Sequence, residues 1–83
     1  MNETIRELLK KHAGLQVDVD ALDGGADLYA AGLSSFASVQ LMLAIEERFD
    51  IEFPDSLLNR KSFQSVDAIA RTVSSITDDR KVA

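Results

Sequence analysis

The sequence predicts an all-α fold: a small antiparallel four-helix bundle of three main helices and one short one, with a long first loop. Three observations predict it. Apolar residues recur at helical spacing in three separate stretches, and the strongest of these, opened by Ser34-Ser35 and running through Phe49, contains no glycine or proline. The 83 residues, 46% of them hydrophobic, can build one small core but not two.

In the first stretch Ile5, Leu8, Leu9 and His12 keep a helical period, with Asn2 or Thr4 available as N-cap and Lys10, Lys11 and Gly14 marking the end. The spacing predicts a helix over 3–13. From Leu15 to Leu33 the pattern breaks: Leu15, Val17 and Val19 alternate with polar residues, and Asp20, Asp23, Gly24, Gly25 and Asp27 supply turn chemistry. A connection of about 19 residues is long for a compact domain, so it is expected to be pinned by its own apolar residues or to be functional. Ser34 and Ser35 open the second helix, which runs through Phe49. Pro54 then suits the first position of a short third helix reaching Leu58. Ser65 as N-cap, Asp67 in the first turn, and Val66, Ile69, Ala70, Val73 and Ile76 at helical spacing define the last helix. The helical domain is therefore expected to cover 1–76, with a flexible tail over 77–83.

Composition narrows the function. Fourteen acidic against nine basic side chains give a net charge of −5, which disfavours nucleic acid and anionic lipid and suits docking on basic patches of other proteins. No run approaches the ~20 apolar residues of a membrane span, and Met1-Asn2-Glu3-Thr4 does not begin a secretory signal, so a soluble, cytoplasmic monomer is expected. The absence of cysteine excludes disulfides and thiolate metal sites, and a single histidine leaves only a carboxylate-dominated one. The loop aspartates fail the calcium-loop spacing. With Asp18 at position 1 and Asp20 at 3, Leu22 falls at 5, Asp23 where glycine is needed, and Tyr29 at 12. They read instead as turn aspartates bonding their own backbone. His12 has no serine–carboxylate arrangement around it and reads as a favourable partner of its helix C-terminus. No metal site and no catalytic residue is expected.

The second helix is less ordinary. At about 100° per residue from Phe36, the residues Ser38, Leu41, Met42, Ile45 and Phe49 lie between about 140° and 240°, a core face. Phe36, Val39 and Leu43 lie on the far side beside Glu46 and Glu47. One helix cannot turn both strips toward one small core, so the second strip, rimmed by acids, reads as a docking surface. At the start of the same helix, Ser34 and Ser35 suit capping, worth ~1 kcal/mol. A phosphate ester on a serine there would gain ~0.3–1 kcal/mol from the helix dipole.

Leu28-Tyr29-Ala30-Ala31-Gly32-Leu33-Ser34-Ser35-Phe36, followed by Val39, Leu41, Ala44, Ile45, Glu46, Glu47, Phe49, Ile51 and Pro54, closely resembles the acyl carrier protein family. In that family a glycine two residues before Asp-Ser-Leu opens the second helix. Ser62-Phe63-Gln64-Ser65-Val66 matches in place as well, so the resemblance spans nearly the whole chain. It implies a covalent 4′-phosphopantetheine on the motif serine, Ser35, and an acyl or aminoacyl cargo held as a thioester. It also implies that the protein is not itself an enzyme. Phe36, Val39, Leu43, Glu46 and Glu47 would form the recognition face for a phosphopantetheinyl transferase, an acyl or aminoacyl ligase with a basic docking surface, and a downstream acyltransferase. Ser34 replaces the family's usual aspartate and Phe36 its leucine. This version of the motif is similar to stand-alone bacterial carriers, some of them loaded with amino acids by ligases resembling class II aminoacyl-tRNA synthetases. Glycine or alanine is therefore expected in preference to a long acyl chain, which would need an apolar tunnel that Phe49, Phe53 and Phe63 are bulky enough to fill. The alternatives are a carrier of fatty-acyl or polyketide intermediates and, in a different class, a small helical interaction module in which Ser35 is only a cap.

Overall fold

The computed structural model describes residues 1–82, with side chains as far as Asp78. Its main helices are α1 (Asn2–His12), α2 (Ser35–Phe49) and α3 (Val66–Val82). Short 3₁₀ turns occupy Val19–Ala21, Asp55–Leu57 and Arg60–Phe63. The expected all-α bundle is present, and α1 packs against both α2 and α3. Among the described residues no helix is long and apolar enough to cross a membrane.

The ends of α1 differ in part from expectation. Neither Asn2 nor Thr4 caps it: the helix starts one residue earlier, Met1 is the N-cap without a side-chain bond, and Asn2 Nδ2 donates instead to Asp67 Oδ1 on α3 at 3.3 Å. The C-terminus follows the sequence. The Ala13 N–H bonds the Leu9 carbonyl, and Gly14 leaves the helix at φ 64°, a conformation glycine adopts without penalty.

The long first connection is tied down along its length. Asp18 Oδ1 accepts from the Asp20 N–H at 3.1 Å and Asp27 Oδ1 from the Tyr29 N–H at 2.9 Å, the local bonds expected of these aspartates. Val19, Leu28 and Leu33 are buried in the core. Two backbone bonds then fasten the loop to the start of α3: Leu28 N–H to the Gln64 carbonyl at 2.7 Å and Asp67 N–H to the Gly24 carbonyl at 2.9 Å. At Gly24 the approach is so close that a Cβ would lie 2.5 Å from Asp67 Oδ1.

The region after α2 departs further from the sequence reading. Asp50 ends α2 in the left-handed conformation at φ 54°, and the Ile51 N–H folds back to the Glu46 carbonyl at 3.0 Å. The expected short helix after Pro54 is only a 3₁₀ turn, since so few residues cannot close several α-helical bonds. A further turn at Arg60–Phe63 was not foreseen; Asn59 caps it, its Oδ1 accepting from the Ser62 N–H at 3.1 Å. In α3 the expected cap holds, with Ser65 Oγ accepting from the Ala68 N–H at 3.0 Å. Its helical backbone continues past Ile76 to Val82, although fraying was expected from Thr77, while Ala83 lies outside the described residues. The apolar spacing marks how far α3 is buried, whereas a nucleated helix can propagate beyond its packed face.

Side-chain burial also corrects the orientation of α2. Ala37, Leu41 and Ile45 are its buried residues, an arc centred about 140° from Phe36 rather than near 190°. The helix is thus turned by about 50° from the sequence-based wheel. Ser38, Met42 and Phe49 move from the centre of the core face to its flank and are only half-buried. The far strip stays outward: Phe36 is 74% exposed, Val39 49% and Leu43 50%.

Candidate functional site

Two adjacent serines at the start of α2 are given different work by the backbone. Ser34 is extended, at φ −82° and ψ 165°, and serves as N-cap, its Oγ accepting from the Ala37 N–H at 3.0 Å. Its carbonyl also takes the Ser38 N–H at 2.9 Å. Ser35 is the first helical residue; its carbonyl accepts from Ser38 Oγ at 2.7 Å, but its own hydroxyl makes no hydrogen bond among the described residues and stays exposed. The approach to this point is shaped by Gly32, at φ 113°, where any side chain would be strained, and by the turn closed by the Leu33 N–H on the Leu28 carbonyl at 2.9 Å.

Ser35 opens onto a cleft of about 420 Å³. One wall is the flank of α2, with Ser38, Val39 and Met42; the other comes from Leu58, Asn59, Arg60 and Phe63, and Tyr29 of the long loop completes it. The rotation of α2 is what puts Ser38 and Met42 here. Beneath the cleft, Phe63 packs on Phe53 with ring centroids 5.2 Å apart, and both are buried. At its edge the Arg60 guanidinium lies over the Tyr29 ring, 4.1 Å from the centroid.

Of the residues singled out in the sequence, Phe36, Val39, Leu43 and Glu47 share the exposed side of α2. Glu46 does not join them as a free acid. It is half-buried, and its Oε2 accepts the Phe53 N–H at 2.9 Å, holding the chain as it leaves α2. Leu43 and Glu47 also border a second groove, formed with Leu8, Lys11, His12 and Arg48, which does not include Ser35. Sequence reasoning missed Tyr29, Asn59 and Arg60 as neighbours of Ser35. Only Asn59 carried a local signal, as a capping residue ahead of a short turn. Among the described residues no cluster of three or more histidine or acidic side chains could hold a metal ion.

A solvent-facing hydroxyl at a helix start, beside a partly apolar cleft and an exposed apolar strip, suits a protein that bears a covalently attached group. The sequence model of the family described as a phosphopantetheine attachment site matches residues 3–73, and the chain belongs to that family. It is a carrier protein whose prosthetic group is covalent 4′-phosphopantetheine. The chain is 65% identical to the aminoacyl carrier protein of Agrobacterium fabrum, over the full length of both. It is similar, with 69% identity and a TM-score of 0.87, to a chain in the crystal structure of an engineered Bradyrhizobium japonicum glycine:[carrier protein] ligase complexed with carrier protein from Agrobacterium tumefaciens and AMP. That match covers 89% of this chain and 99% of the other. It also resembles a chain in the structure of the Bradyrhizobium japonicum ligase complexed with glycylated carrier protein, at 31% identity and TM-score 0.74, covering 86% of this chain and 95% of that one.

Proposed function

We propose that this protein is a non-catalytic aminoacyl carrier of the cytoplasm that bears its phosphopantetheine arm on Ser35 and is loaded with a small amino acid, glycine or alanine, by a separate ATP-dependent ligase. The observation that carries the attachment point is the division of work at the start of α2. Ser34 provides the cap, and the Ser35 hydroxyl is exposed and makes no hydrogen bond among the described residues. A phosphopantetheinyl transferase would find it accessible. Oγ loses its proton and attacks the phosphorus of a phosphopantetheinyl–nucleotide diphosphate donor, the P–O bond of the diphosphate bridge breaks, and the nucleotide phosphate leaves. The helix N-terminus favours the resulting phosphodiester anion by ~0.3–1 kcal/mol. When bound, the group supplies the thiol that this cysteine-free chain lacks, on which cargo is held as a thioester.

The outward strip of Phe36, Val39 and Leu43, with Glu47 beside it, follows Ser35 on the same helix. A partner that docks there on a basic surface therefore meets the arm at once, and a modest interface lets it leave again. Phe53 and Phe63 support a small cargo. They fill the interior beneath the cleft, where a long acyl chain would have to enter. The relatives point the same way, since the similar chains occur with a glycine:[carrier protein] ligase.

Co-expression with a phosphopantetheinyl transferase tests the attachment. Intact mass should rise by one phosphopantetheine in the wild type and in Ser34→Ala, and should not change in Ser35→Ala. Incubating the holo protein with a synthetase-like ligase, ATP and mixed amino acids should give a hydroxylamine-labile glycyl or alanyl adduct. Modification at Ser34 would overturn the attachment point; native protein carrying only long acyl groups would overturn the cargo.

A further inference from the structure

Among the described residues that line the cleft beside Ser35, one is a cation, Arg60. The Arg60 guanidinium is held over the Tyr29 ring at 4.1 Å, and Asn59, which caps the turn that begins at Arg60, fixes the backbone beneath it. Arg60 forms no ion pair among the described residues; the one ion pair found there joins Lys10 and Asp20. No carboxylate is among the described residues that line the cleft, where Tyr29, Val39, Met42, Leu58 and Phe63 stand with the polar Ser38 and Asn59. In a protein of net charge −5, a guanidinium that has no ion pair among the described residues and lies over an aromatic ring in the same cleft as Ser35 is a specific arrangement. A guanidinium presents its N–H donors as a planar fork, and that fork matches the geometry of phosphate oxygens.

We propose that Arg60, braced on Tyr29, is a positioning residue for the prosthetic group: it draws the phosphodiester on Ser35 to the cleft side of α2 and so lays the arm along the cleft when no partner is docked. This rests on attachment at Ser35. The cleft has room for such an occupant, since about 420 Å³ lies within the ~300–1,000 Å³ of small-molecule sites. Its mixed lining suits a chain that alternates methylenes with amides: Met42, Leu58 and Phe63 face the methylenes, and Ser38 and Asn59 offer polar partners to the amides. The outward strip lies on the opposite flank, apart from Val39 at the boundary, so a parked arm leaves Phe36 and Leu43 open to a partner. A docking enzyme then has to draw the arm out by competing for its phosphate.

The test uses the full chain in its apo and holo forms, with intact mass confirming conversion of every variant. In the wild type, conversion should shift the NMR signals of Tyr29, Met42 and Phe63 as well as those adjoining Ser35, and the ³¹P resonance should differ from that of a free phosphodiester. In Arg60→Ala the shifts at Met42 and Phe63 should be lost, the ³¹P resonance should move to the free value, and the shifts adjoining Ser35 should persist. Arg60→Lys, which keeps the charge but not the planar fork, should restore them in part, and less so at high salt. Full conversion with shifts confined to the neighbours of Ser35, or shifts unchanged in Arg60→Ala, would overturn the role of Arg60 and leave the carrier function standing. Absence of any mass gain would overturn the attachment at Ser35 and this inference with it.

Discussion

Leu41 and Leu43 stand two residues apart on α2, yet Leu41 is fully buried and Leu43 is half exposed. On the inward arc, Ala37, Leu41 and Ile45 close the core against α1; on the outward strip, Phe36, Val39 and Leu43 stay about half exposed or more, Val39 at the edge of the cleft and Leu43 beside the groove with Leu8. The same residue types thus serve cohesion on one side and, in the function proposed above, recognition on the other. The difference is geometric, because burial depends on which arc of the helix meets a neighbour and not on hydrophobicity alone. The division suits the carrier role proposed above, since contacts made by the outward strip can form and break without disturbing the fold.

Substitutions can break that comparison, and the largest effect belongs to the inward arc. Ile45→Ala should destabilise by about 2–5 kcal/mol, whereas Leu43→Ala should stay within about 0.5 kcal/mol, both read from chemical denaturation. Equal losses at the two positions would mean that the outward strip is part of the core after all. The neighbouring acids sharpen the same contrast. Glu46→Ala removes the acceptor of the Phe53 N–H and should cost about 1–3 kcal/mol, while Glu47→Ala should leave stability unchanged and weaken ligase binding. Val39→Asp should then impair loading at nearly constant Tm, because valine and aspartate have similar helix propensities and the site is outward. Unfolding by this substitution would show that the strip is not free.

The smallest effect lies away from α2. Lys10 on α1 has its pKa raised above the ordinary lysine value, chiefly by its hydrogen bond with Asp20. A raised folded-state pKa stabilises fully below the unfolded value and is lost as pH rises through the folded one, so this contribution fades only in strongly alkaline solution. Asp20→Asn should return Lys10 toward its ordinary value in an NMR titration while barely moving Tm at neutral pH, as exposed ion pairs generally do.

Local signals sufficed for much of this molecule. The run from Ser34 to Phe49 declares a helix start, a helix and its end, and the resemblance around Gly32 to Phe36 singles out Ser35. The loop aspartates were readable because an Asx turn involves residues two apart, and Ser65 because a cap acts within one turn. The 3₁₀ turn at Arg60–Phe63 was less legible, having too few residues to show a period.

Tertiary structure alone decided three features that matter for function. A helical wheel gives relative angles but no zero, so the rotation of α2 that sends Met42 and Ser38 to the cleft came from packing against α1 and the loop core. Glu46 and Glu47 are indistinguishable by composition, and only the returning chain after Asp50, with its Phe53 N–H in need of an acceptor, separates them. Tyr29 and Arg60 meet across the domain because the Leu28 N–H reaches the Gln64 carbonyl and the Asp67 N–H reaches the Gly24 carbonyl, joining the long loop to the start of α3. Periodicity and capping act over a turn or two of chain, whereas these contacts are set by which distant segments bury their apolar residues together, and that is determined only when the whole core closes.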